Sequence, residues 1–255
     1  MRSAIWRLVT IRWAGQLTDG LFQSALASFV LFSPERQPDA FSAAAAFAVV
    51  LLPYSIIGPL VGTVLDRFSR QRIILITNLL RAILLLVISG LVRSDITGLE
   101  LTAVVLFAFG VNRLILAGLS ASLPLLLDSH GAHGRTRLVS INALAVTGGT
   151  VCVVIGGGLG IGIRKFFNSS LSANSADALL LSIASALYGI VALLTLILPK
   201  QSLGPLPHEI KKVSVLGALQ EMREGYQFLR AYRDCFLGII DRESTRLNSS
   251  HVSES

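Results

Sequence analysis

The sequence predicts an all-α membrane protein, a bundle of six membrane-crossing helices followed by an amphipathic helix on the cytoplasmic side. Three observations carry that prediction. Of 255 residues, 53% are hydrophobic and only 15% are charged, against roughly 25% charged in a soluble domain. The charges are also unevenly spread. They are nearly absent from stretches of about 20 residues, the length a helix rising 1.5 Å per residue needs to cross a hydrocarbon core about 30 Å thick. Finally, lysine and arginine outnumber the acids 22 to 15, giving a net charge of +7, and the cations gather at the ends of the apolar stretches. In a soluble chain such a balance would suggest nucleic acid. At helix ends it fixes orientation and meets anionic lipid instead, so the expected partner is the bilayer and no nucleic acid is expected.

The apolar spans are residues 13–32, 41–64, 73–92, 101–127, 138–163 and 178–198. The N-terminus is basic and then apolar, as in a signal peptide, but the run continues to Phe32 with no small-residue cleavage site after it. It therefore reads as a retained first helix. Connections at 33–40, 65–72, 93–100, 128–137 and 164–177 are short, which makes the spans a compact bundle, because unpaired backbone cannot sit in lipid. With the N-terminus in the cytoplasm, the inner segments hold eleven cations (Arg2, Arg7, Arg12, Arg67, Arg70, Arg72, Arg135, Arg137, Lys200, Lys211, Lys212). The outer loops hold four (Arg36, Arg93, Arg164, Lys165). That bias predicts a multi-pass protein of the cytoplasmic membrane with its N-terminus inside.

Residues 1–199 thus form the six-helix unit. Residues 200–234 read as a cytoplasmic linker: 199–212 holds three of the eight prolines, and Ser214 can cap a helix with Val215, Leu219, Met222, Tyr226 and Leu229 on one face. Residues 235–240 (CFLGII) start a seventh apolar run. Residues 241–255 (DRESTRLNSSHVSES) are polar and serine-rich. They resemble the conceptual translation of a sequencing-library adapter, DRKSTRLNSSH, so that tail is expected to be non-native.

Between the second and third spans stands GTVLDRFSRQR, residues 62–72. It resembles the G-x-x-x-D-R-x-x-R-[KR] signature of the major facilitator superfamily (MFS), in the same cytoplasmic loop, with Gln71 where a basic residue is usual and Arg72 immediately after. The resemblance covers residues 5–240. It implies the N-terminal half of a secondary transporter built as a 3+3 inverted repeat, with a C-terminal six-helix half as its missing partner. It also implies that Gly62, Asp66, Arg67, Arg70 and Arg72 latch the two halves together in the outward-facing state. The phrases LLPYSIIGPLVGTVLDRFSRQR and NRLILAGLSASLP look most like drug:proton antiporter type exporters of drugs or siderophores.

Three ionisable residues lie inside spans: Asp19, Arg81 and Arg113. Each costs at least about 2.5–3.5 kcal/mol at mid-bilayer and is a functional candidate on that ground. Arg113 resembles the arginine of the family's helix-4 signature R-x-x-x-G, which is implicated in proton transfer. Here Ala117 stands four residues on, and Gly118 follows it. Asp19, about two turns into a span counted from Trp13, is a candidate proton carrier or cavity carboxylate and a candidate partner for Arg113. Arg81, about two turns into the third span, reads as a snorkelling or latch-supporting residue.

The fifth span carries Gly148, Gly149, Gly156, Gly157, Gly158, Gly160 and Gly162. No strand flanks them and no phosphate-cradling lysine follows, so close helix packing explains them better than a nucleotide loop. They resemble the family's glycine-rich antiporter helix without its Gly-Pro. Cys152 and Cys235 have no metal-ligand spacing, His130 and His133 read as solvated residues of a cytoplasmic loop, and no nucleophile–base pair stands out, so neither enzyme activity, cofactor nor metal is expected. The leading expectation is proton-coupled efflux of small amphipathic compounds by alternating access, with this chain supplying one half and inactive alone. A nutrient uptake permease and a non-transporting scaffold or receptor are the alternatives.

Overall fold

The computed structural model describes residues 2–26, 68–96, 98–126, 131–168 and 170–198. All of them belong to the first of two compact units, Met1–Ile210. Among the described residues the chain is entirely helical: α1 (Arg2–Leu26), α2 (Arg70–Arg93), α3 (Leu99–Leu126), α4 (Gly131–Phe167) and α5 (Ala173–Thr195). They correspond to the first, third, fourth, fifth and sixth predicted spans. The second span, the linker, the seventh apolar run and the serine-rich tail lie outside the described residues.

Four of these helices, α2 to α5, are long and apolar enough to cross a membrane. α2 shows why the bundle belongs there. Its outward stripe is Ile76, Leu79, Ile83, Leu86 and Val87, all exposed, whereas its buried face includes Gln71, Thr77, Asn78, Arg81 and Ser89. A water-soluble helix has the opposite arrangement. Apolar side chains outward and polar ones inward suit a lipid surround, where the polar groups find partners only inside the bundle. The chain is a multi-pass membrane protein.

The helices touch through polar and small residues. Ser89 Oγ donates to the Ala178 carbonyl at 2.7 Å and Ser185 Oγ to the Ala82 carbonyl at 2.7 Å, which pins α2 to α5 at two levels. α1 packs chiefly on α4 and α5, and α2 on α5 and α3. Two apolar clusters result. One joins Leu21, Phe22, Leu85, Ile88, Val105 and Leu181, and the other joins Ile5, Leu8, Ile74, Ile115, Leu119 and Val191. On α1 the buried polar residues Arg12, Thr18 and Asp19 fall between the two.

Three helix starts differ most from the sequence reading. α1 begins at Arg2, not at residue 13, because Arg12 is not a boundary: it is 9% exposed and its Nη1 reaches Ser120 Oγ at 3.3 Å. α5 begins at Ala173, five residues before the predicted span. Asp177 lies inside it, 2% exposed, held by Arg164 Nε at 2.5 Å, and Ser172 caps the helix by accepting from the Ser175 N–H. α4 starts at Gly131, within the stretch read as a loop at 128–137. A charge that finds a partner inside the bundle, as Arg12 and Asp177 do, does not end a helix.

Candidate functional site

Asp19, Arg81 and Tyr188 meet at the edge of the first apolar cluster, to which Tyr188 belongs. They come from α1, α2 and α5 and are 3%, 2% and 0% exposed. Arg81 Nη2 donates to Asp19 Oδ1 and to the Tyr188 hydroxyl. The Tyr188 hydroxyl donates in turn to the same Asp19 oxygen at 2.5 Å, and the Arg81 guanidinium carbon stands 3.9 Å from the centre of the tyrosine ring. The ring face and the carboxylate therefore share one cation, which suits a charge removed from water.

Helix geometry explains the depth. Arg81 is eleven residues from one end of α2 and twelve from the other. Asp19 is seventeen residues from the start of α1, about 25 Å along the axis. It is therefore deep in the bundle, not near its inner end. Two expectations are corrected with it. Asp19 is bonded to Arg81, not to Arg113, and Arg81 does not snorkel. Asn112, Ile115 and Leu119 occupy the inward face of α3, and successive helix residues are turned by about 100°, so Arg113 falls on the flank and is exposed.

A pocket adjoins the pair. Its walls include Arg12, Gln16 and Asp19 from α1, Asn78 and Arg81 from α2, and Asn112 from α3. Asn78 and Arg81 are three residues apart and so share a helix face. Tyr188, Gln16, Asn78 and Asn112 were missed in the sequence because they are neutral. The signal that could have found them was polar residues recurring at three- and four-residue spacing inside apolar spans.

The glycines of α4 divide by face. An added Cβ would overlap the Leu17 carbonyl at Gly156, the Ser24 hydroxyl at Gly160, the Gln16 amide at Gly149 and the Trp13 ring at Gly148. Gly20 of α1 is met in the same way by the Val153 carbonyl and the backbone of Gly157. The two backbones thus touch where glycine faces glycine. Gly157 is in ordinary contact with the Gly20 carbonyl, and Gly158 and Gly162 face open space.

Of the latch motif, Gly62, Asp66 and Arg67 lie outside the described residues; Arg70 opens α2 and Arg72 is exposed. Gln71, the departure from the signature, is 3% exposed, and its Nε2 donates to the carbonyls of Thr195 at 3.2 Å and Leu198 at 2.8 Å. It closes the end of α5, whose last carbonyls lack helical donors, and Arg7 Nη1 adds a bond to the Ile197 carbonyl at 3.2 Å. Gln71→Leu is expected to cost about 1–3 kcal/mol by stranding those carbonyls. Gln71→Lys, which keeps a donor, is expected to melt close to wild type. Melting temperatures of the purified protein in detergent check both.

No family model matches the chain, and no solved structure matches it. Two curated proteins do: an uncharacterised MFS-type transporter of Mycobacterium bovis and one of Mycobacterium tuberculosis. Each is 34% identical over 178 residues, which is 70% of this chain and 39% of the relative. The match therefore spans about two fifths of each relative's length. With a helical bundle whose polar residues point inward, and with the 62–72 motif in place, the chain belongs to the major facilitator superfamily.

Proposed function

We propose that the complete protein is a secondary active transporter that exports small amphipathic compounds, of drug or siderophore type, in exchange for protons, and that this chain forms its N-terminal six-helix half. Alternating access would rock this half against a C-terminal one around a central path, with the 62–72 loop as the cytoplasmic latch. The observation that supports coupling best is the carboxylate of Asp19, buried at mid-depth on a cation and a hydroxyl. A carboxylate so placed is costly unless it serves a purpose, and in transporters intramembrane acids mark ion paths. Protonation of Asp19 would free Arg81 and loosen α1 from α2 and α5, which gives the proton a mechanical effect.

The test uses the full-length gene product in proteoliposomes loaded with ethidium or a similar amphipathic cation, with a pH gradient imposed. Transport that collapses when the gradient is dissipated supports the proposal. Gradient-independent retention of every compound in the panel would favour a scaffold or receptor, and uptake in the opposite sense a permease.

A further inference from the structure

We propose that the pocket between α1, α2 and α3 is a bound-water site that passes protons to Asp19. This inference rests on the reading of Asp19 as the coupling carboxylate. Three buried polar atoms of residues that line the pocket lack a hydrogen-bond partner: Arg12 Nε, Asn78 Oδ1 and Asn112 Oδ1. Arg12, Asn78 and Asn112 are 9%, 0% and 8% exposed. A buried polar group without a partner costs about 1–3 kcal/mol, so three on one small pocket point to a ligand that satisfies them together.

Chemistry and size choose the ligand. Arg12 Nε can only donate. Asn78 Nδ2 already donates to the Ile74 carbonyl at 2.8 Å, which fixes its Oδ1 as an acceptor, and the Asn112 amide can present either edge. The occupant must therefore accept one bond and donate others. The space is about 10 Å³, close to the lower limit for one water molecule and far below the roughly 300–1,000 Å³ of sites for drug-sized molecules. A single water, making about three hydrogen bonds as buried waters do, meets both conditions. An organic substrate does not fit.

Asp19 is part of the same wall. Its bonds from Arg81 and Tyr188 both fall on Oδ1, which leaves Oδ2 for the water. A proton arriving as hydronium passes to the bound water, and that water breaks one O–H bond as a new one forms on Oδ2. The net change is one carboxylate and one hydronium converted to one carboxyl and one water. Among the described residues, the other groups facing Asp19 are Arg81 from α2, Tyr188 from α5 and Arg12 along α1. The α3 wall contributes Asn112, Ile115, Leu116 and Leu119, none of which titrates, and among the described residues α4 contributes none to this wall.

Infrared difference spectroscopy of the full-length protein in lipid, after a pH jump, reads each step. Asp19→Asn identifies the carboxyl C=O band, and exchange into H₂¹⁸O identifies the internal-water O–H band. The expected result is a water band in the wild type that Asn112→Leu and Asn78→Leu remove. Protonation of Asp19 in those variants should slow by about a hundredfold, the low end of what a positioned proton-transfer group supplies. Asn112→Ser, which keeps a polar wall and enlarges the space, should retain both the band and the rate, separating a lost relay from a damaged fold. An unchanged protonation rate in both leucine variants, or no band that shifts in H₂¹⁸O, would overturn the relay while leaving the coupling role of Asp19 intact. If Asp19 itself gives no titrating band, the coupling reading fails, and the relay falls with it.

Discussion

Gly156→Ala and Gly20→Ala are expected to collapse the yield of folded protein, whereas Gly158→Ala and Gly162→Ala should express and melt like the wild type. The four changes are chemically identical and lie on two helices in contact, so propensity cannot distinguish them; in a helix interior alanine is even favoured over glycine by about 1 kcal/mol. What differs is the neighbour. At Gly156 a methyl group would enter the Leu17 carbonyl, and at Gly20 it would enter the Val153 carbonyl. Backbone cannot rotate away as a side chain can, so α1 and α4 must separate along their length. Overpacking costs about 1–3 kcal/mol even where side chains can yield, and here the loss reaches every contact of the α1–α4 seam. At Gly158 and Gly162 the methyl group meets nothing within contact distance. Fluorescence-detected size-exclusion chromatography of the four single variants checks the contrast, and a uniform response across all four would refute it.

Arg81→Met is the second large effect. It leaves the Asp19 carboxylate 3% exposed, with only the Tyr188 hydroxyl as partner, and breaking a buried pair from one side typically costs about 3–5 kcal/mol. The double variant Asp19→Leu/Arg81→Met is expected to recover most of that loss. Buried ion pairs are often replaceable by apolar residues of similar volume at no net cost, and the surrounding residues, such as Phe22, Leu85 and Ile115, already form the two apolar clusters. The restored double variant should nevertheless be unable to couple flux to protons. Melting temperatures of the two single variants and the double one give the interaction energy directly; additive losses would show that Asp19 and Arg81 do not share a bond.

The lipid-facing character of the chain was legible from composition and from the spacing of its charges, since both follow from the thickness of the bilayer alone. The intramembrane ionisable residues were legible for the same reason, because few side chains cost as much there. Their partners were not. Asp19 was placed too near the helix end because Arg12 looked like a boundary, and its pairing with Arg81 depends on how α1 packs beside α2. That α1 and α5 run on through Arg12 and Asp177 depends on Ser120 and Arg164, partners on other helices. Tyr188, Asn78 and Asn112 are neutral, so although Asn78 lies three residues from Arg81 and Tyr188 three from Ser185, the spacing does not say that three helices bring them together. The glycines were legible as packing residues, but which of the seven touch α1 depends on the rotation of α4, which only the packed bundle fixes.

The most direct measurement of the central claim compares the full-length wild type with Asp19→Asn, and with Asp19→Asn/Arg81→Gln as a variant free of the unpaired cation, in proteoliposomes. Flux of the amphipathic cation is followed both under a pH gradient and as gradient-free exchange. The account predicts that gradient-driven flux is lost in both variants while exchange persists in the double variant, since the path remains and only the proton's binding group is gone. Gradient-driven flux at the wild-type rate in Asp19→Asn would contradict it.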